Sequence, residues 1–461
     1  MATTRNPRPS ARYRKHRRDA AIRRRRIVLL LVLGASLTIA GVAIAWPKQP
    51  SAPVPGEPVA ESAAIAEGDG DAVPAATDGA ETVAAEAAAG GGDDAGAPPE
   101  APTEILPDWE PSARAQAAID TAKANGRPPQ FVVVSFDGAA DYRMYDRWLG
   151  VAEETGARFT FFVSGIYMLL PEHATKYQPP GGFEPGFSNL GGYAELAGPK
   201  SAAENLRDNV ADFNRARALG HEIGSHYVSH ICEQADAWTK DDWISEESQW
   251  ETLMLDPTGT NELKRPLEPI YTREDFHGGR TPCLAGDKEA VYAAMAEMGR
   301  EYDASQPGIF AVWPARQQGL WSFPLPTIDR VGSQYPVMAM DYNFYVNHGQ
   351  AETQAQADEF EELTYKSYMN AINKLHAGNR APFITGSHFA NWNKGAYMDA
   401  LERTVRDQCG RPEVACVNMI TLARWLDEQD PADLERWGMG DFPGGPNEGA
   451  SAGAATEPQA G

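Results

Sequence analysis

Apolar and polar positions alternate along this chain in two rhythms. Phe131-Val132-Val133-Val134-Ser135-Phe136 is apolar at nearly every position, the pattern of a strand buried on both faces, as in a parallel sheet. A helix over about 144–155 and a second strand, Phe159-Thr160-Phe161-Phe162-Val163, complete a βαβ unit. Before it, apolar Ala117, Ile119 and Ala122 predict a helix over 111–125. Further on, helices are predicted over 201–219, 240–256, 287–299 and 418–428, and strands at 221–224, 308–313, 336–340 and 382–387. Residues 171–200 are rich in Gly and Pro and predict a surface excursion. Such alternation implies an α/β fold, a single (β/α) barrel with its active groups at the C-terminal ends of the strands.

The two ends of the chain follow other rules. Residues 1–26 are rich in arginine and end in Arg23-Arg24-Arg25-Arg26; residues 27–46 are uncharged and apolar. Roughly 20 apolar residues suffice to cross a bilayer as a helix, and a basic flank stays in the cytoplasm. The expectation is a single-pass anchor with residues 47–461 on the extracytoplasmic side; the alternative is a secreted protein, cleaved at a signal site near Ala43-Ile44-Ala45. Residues 47–106 are rich in Ala, Gly, Pro and acidic residues, the composition of a disordered spacer. Residues 436–461 read as a similar tail, leaving 107–435 as the folded domain. The net charge of −23 argues against nucleic acid as a partner.

An exported region suits disulfides. The four cysteines, Cys232, Cys283, Cys409 and Cys416, allow three pairings. Cys409 and Cys416 bracket a short Gly/Pro loop, and their pairing leaves Cys232 with Cys283; free buried thiols are the alternative.

Candidate chemistry centres on His226 and His230, four positions apart. That spacing lets two imidazoles converge on a divalent metal. Three other places accompany it: Ser135-Phe136-Asp137-Gly138 at a strand end, Gly278-Gly279-Arg280-Thr281-Pro282-Cys283, and Gly386-Ser387-His388 after a late strand. Asp341, after Val337-Met338-Ala339-Met340, is a candidate to orient His388, and Trp313, Trp321 and Trp392 are candidates either to stack on sugars or to fill the core.

In this order, over residues 129–430, the four motifs resemble the polysaccharide deacetylases, the NodB-like carbohydrate esterases of family 4. The likeness is nearest to the arthropod-type chitin deacetylase branch. The resemblance implies a distorted (β/α) barrel of the NodB-homology type and metal-dependent removal of N-acetyl groups from an extracytoplasmic polysaccharide, with zinc the expected metal. It implies Asp137 as general base, Arg280 as the residue orienting that base, His388 as general acid, and His226 and His230 as metal ligands. Candidate substrate contacts are Pro282, Cys283 and Trp392. Two positions depart from the family pattern. Gly138 stands where the family has its metal-binding Asp, which makes Asp141 the candidate substitute. Cys283 stands where the family carries an aromatic wall. Gly138 also keeps open a non-catalytic glycan-binding protein on the same fold, and another metal-dependent amidohydrolase is a third alternative.

Overall fold

The computed structural model describes residues 105–190 and 201–449. The basic tail, the apolar segment 27–46 and nearly all of the spacer lie outside them. Among the described residues no helix is long and apolar enough to cross a membrane.

Among the described residues the first helix is α1 (Ala113–Ala124), followed by β1 (Gln130–Asp137), buried along its whole length. There follow α2 (Tyr142–Thr155), β2 (Thr160–Val163), α3 (Ala202–Ala218), β3 (Glu222–Ser225), α4 (Lys240–Leu255), β4 (Gly278–Gly279), α5 (Lys288–Glu297) and β5 (Tyr302–Asp303). These five strands pair in parallel in sequence order, and β11 (Phe383–His388) flanks β1 on its other side. β12 (Val414–Val417) also pairs with the first half of β1, so β1 is covered on every side. Buried along its whole length, β1 is apolar at nearly every position from 131 to 136. The core around it is strongly aromatic: Phe136 packs on Trp148, Phe159, Phe161 and Phe389.

Past β5 the alternation stops. Between residues 302 and 340 come only short strands: β6 (Pro307–Gly308), β7 (Ala315–Gln317), β8 (Leu320–Ser322), β9 (Leu325–Ile328) and β10 (Val337–Met338). β8 extends the curled sheet beyond β5. β6, β9 and β10 form a separate three-stranded sheet that reaches β11 through the bridge between Met340 and Gly386. The regular (β/α) repeat is thus complete over one side of the barrel only. The strand expected at 308–313 is a turn beyond Gly308, with Ile309 75% and Val312 47% exposed. An apolar run in that stretch does not imply burial, because no neighbouring strand accepts it.

Among the described residues, besides the single helical turn Pro257–Thr260, four helices lie outside the predicted set: α6 (Asp341–His348), α7 (Gln354–Ala377), α8 (Ala396–Gln408) and α10 (Pro431–Gly438), the last following α9 (Met419–Asp427). The buried stripe of α7 includes Thr364 and Ser367 beside Ala371, Ile372 and Leu375, which dilutes its helical apolar period. The domain boundary at 435 is also corrected: Phe442 is buried and Pro443 packs against Gly126, so the fold continues past α10. Residues 171–190 are not wholly superficial either. Tyr177 is buried and bonds both Glu246 and Ser229. Both disulfides match the expected pairing, Cys232 with Cys283 and Cys409 with Cys416.

Candidate active site

The C-terminal ends of neighbouring strands gather the candidate residues. Asp137 and His388 end β1 and β11 and are register partners, so their side chains emerge side by side. His226 follows β3, and Arg280 follows β4.

Asp137 is buried, and its Oδ1 accepts a hydrogen bond from Arg280 Nη1 at 2.7 Å. The same nitrogen donates to Ser135 Oγ at 2.8 Å, while Arg280 Nε donates to the Ala304 carbonyl at 3.0 Å. The guanidinium lies 4.8 Å from the centre of the Phe162 ring. Burial on its own pushes the Asp137 carboxyl up; Arg280, with His226 and His388, more than offsets this and holds it below the usual range. Asp137 is therefore a carboxylate at neutral pH. No described residue engages its Oδ2.

His388 is set by Asp341. Its Nδ1 donates to Asp341 Oδ1 at 2.7 Å, and Asp341 Oδ2 accepts from the His388 backbone N–H at 2.7 Å and from Ser387 Oγ at 3.0 Å. Burial lowers the imidazole's affinity for a proton, but the Asp341 charge outweighs it and raises the pKa above the ordinary value. The remaining nitrogen, Nε2, is not engaged by Asp341.

The two imidazoles of the HxxxH stretch stand with ring centres 5.2 Å apart. His226 Nδ1 donates to the Arg280 carbonyl at 2.8 Å, which leaves Nε2 with its lone pair, the tautomer a metal needs. Burial lowers the pKa of His226, and burial with the neighbouring His226 and His388 takes that of His230 to about 3, so both rings stay neutral.

Two buried carboxylates on α4 hold this stretch from behind. Glu246 Oε1 accepts from the Val228 N–H at 3.1 Å and its Oε2 from Tyr177 Oη at 2.7 Å; Glu247 Oε2 accepts from Ser225 Oγ at 2.6 Å. Within this stretch Tyr227 and His230 stand in the left-handed region, at φ of 55° and 57°. Nothing in the local sequence signals their part, because they lie some 20 residues further on.

His226 and His230 could thus offer two neutral imidazoles to a divalent metal, while Gly138 offers no carboxylate beside them. Gly138 has φ of 63° and no side chain. Asp141, the expected substitute, does other work: its Oδ1 accepts from the Arg143 N–H as the N-cap of α2, and its Oδ2 pairs with Arg143 Nη2 at 2.6 Å. The short polar side chain just before the helix is drawn to the free N–H groups of the first turn.

Of the candidate substrate contacts, Pro282 is buried and so is not available to a ligand; Cys283 is exposed but held in its disulfide. Trp392 lies 5.2 Å from the His388 ring, stacked on Tyr345 and packed against Tyr342, which is 49% exposed. Aromatic surface thus flanks His388. Tyr342 was open to detection as the residue following Asp341. Trp313 and Trp321 belong to the core, their indole N–H groups bonded to the Asn379 carbonyl and Asp427.

No protein-family model matches the chain, and no curated protein does. Solved structures do. A candidate polysaccharide deacetylase from Mycobacterium smegmatis is 15% identical, with 65% of this chain and 91% of that one covered and a TM-score of 0.38. The peptidoglycan deacetylase PdaC from Bacillus subtilis is 10% identical, with 67% and 96% covered and a TM-score of 0.34. A CE4 family pseudoenzyme from Bacillus anthracis is 9% identical, with 64% and 66% covered and a TM-score of 0.33. At these values the likeness carries no weight of its own, and the reading of function rests on the geometry above.

Proposed function

We propose that this chain is a carbohydrate deacetylase, hydrolysing the amide of N-acetyl groups on a polysaccharide. The carrying observation is that Asp137 and His388, on adjacent strands, are tuned in opposite directions by the partners each is paired with. Arg280 holds the Asp137 carboxyl below its usual pKa, and Asp341 raises that of His388 above its ordinary value. Pairs of titratable groups pushed apart in this way divide the roles of base and acid. Asp137 takes a proton from the attacking water, Arg280 fixes its orientation, and His388 Nε2 delivers a proton to the departing amine. His226 and His230 would hold a divalent metal, with zinc favoured by the imidazole donors; bound there, it supplies Lewis-acid polarisation of the amide carbonyl and acidifies its water. Two protein ligands predict weak retention.

In this reading segment 27–46 anchors the protein and the substrate is an N-acetylated glycan outside the cytoplasm, as the likeness to arthropod-type chitin deacetylases also suggests. Gly138 favours a second reading, a non-catalytic glycan-binding protein. Metal content and acetate release separate the two, measured on the full-length protein and His226→Ala with chitin oligomers and peptidoglycan fragments. Stoichiometric metal and acetate release, both lost in the variant, support the enzyme. Glycan binding with neither metal nor acetate leaves the binding protein.

A further inference from the structure

His230 has a second set of neighbours, the sulfurs of Cys232 and Cys283. Its Nδ1 is 3.7 Å from Cys232 Sγ, and a ligand atom of His230 and the sulfurs of Cys232 and Cys283 all lie within 4.8 Å of one another. Among the described residues this is the one group of three such side chains. With Zn–N near 2.0–2.1 Å and Zn–S near 2.3 Å, an N···S edge of a tetrahedral zinc site is about 3.5 Å long. The observed 3.7 Å is close to that edge. In the disulfide the sulfurs are not thiolates and do not bind metal.

We propose that the disulfide masks a zinc site: when Cys232 and Cys283 are reduced, their thiolates and His230 bind one Zn²⁺. The reductant is a dithiol. Its two thiols form a disulfide as the Cys232–Cys283 bond breaks, two electrons pass to the protein sulfurs, and two thiols result. Zinc binding then releases both thiol protons. Cys283 is exposed, so the dithiol has a sulfur to attack. Cys409 and Cys416, buried and with no histidine in such a group, form no comparable site. Because His230 belongs to both sets, the reduced site draws on an imidazole of the candidate active site. The proposal rests on placement of ligands and stands whether or not the protein is a deacetylase.

The test uses full-length protein, oxidised or treated anaerobically with a dithiol and freed of small molecules, titrated with Co²⁺ alone. The reduced protein should bind one equivalent with sulfur-to-cobalt charge-transfer absorption in the near ultraviolet, bleached by zinc and absent from the oxidised protein. The absorption should vanish in Cys283→Ser, and His230→Ala should weaken Co²⁺ binding at least about tenfold. Absence of the band from the reduced protein, or its persistence in Cys283→Ser, would overturn the proposal. A second measurement needs no variant. In the reduced wild type, zinc should slow alkylation of Cys232 and Cys283 at least tenfold and leave Cys409 and Cys416 unchanged; equal rates with and without zinc would refute the site.

Discussion

Replacing Gly138 by aspartate should turn a weak metal site into a strong one. A Cβ built at Gly138 meets Tyr167 Oη at 3.7 Å and Ser164 Oγ at 3.9 Å, ordinary contacts that require no neighbour to move. The cost lies in the backbone, at φ of 63°. A left-handed residue with a side chain costs roughly 1–2 kcal/mol, and aspartate falls at the low end because it bonds its own backbone there. The gain is a third ligand beside His226 and His230. Second-shell partners alone change metal affinity roughly 10–100-fold. A carboxylate in direct reach should therefore tighten zinc by at least about 100-fold, or about 2.7 kcal/mol. Competition with a chelator would measure this in the wild type, Gly138→Asp, Gly138→Asn and Gly138→Ala. The Asn variant matches the shape without the charge, and the Ala variant reports the backbone cost alone. Only Gly138→Asp should bind tightly, with acetate release rising in step. If Gly138→Asp binds zinc within about threefold of Gly138→Ala, the placement of the missing ligand is wrong.

Asp341→Asn removes the charge that raises His388. The imidazolium is then lost at lower pH, so the alkaline limb of kcat/KM should move down the pH scale and the rate at neutral pH should fall about tenfold or more; an unmoved limb would remove His388 from the role of acid. His277 offers a stability test away from the site. Burial lowers its proton affinity, but Asp108 at 3.5 Å and Glu301 at 2.9 Å raise its pKa from 6.5 to about 9. Its contribution is complete below pH 6.5 and is lost as pH rises through the folded value, up to about 3 kcal/mol by linkage. Urea unfolding at pH 6 and pH 10 should show this drop and a smaller one in Glu301→Gln; equal stability at both pH values in the wild type contradicts it.

Much of the barrel was legible because its first half depends on local patterns. β1 pairs with three strands and is buried along its length, and its nearly continuous apolar run announces it. The site residues that strands deliver directly, Asp137, Arg280 and His388, each follow a short motif for the same reason: a strand end fixes where the next side chain points. Legibility failed where burial did not follow period. The run 308–313 is apolar without a partner strand, and α7 buries hydroxyls among its apolar residues.

Sequence alone therefore determined the α/β class, the strand-end placement of the chemistry and the two imidazoles, because each depends on neighbours a few residues away. The tertiary structure alone decided what each side chain does. Asp141 became a helix cap because the nearest free N–H groups were those of its own helix. Asp341 became the partner of His388, 47 residues away, because β11 brings them together. Glu246 and Glu247 came to hold the HxxxH backbone, and Cys232 found Cys283 beside His230. Contacts across such separations are set by how strands and helices pack, and no short stretch of residues records that.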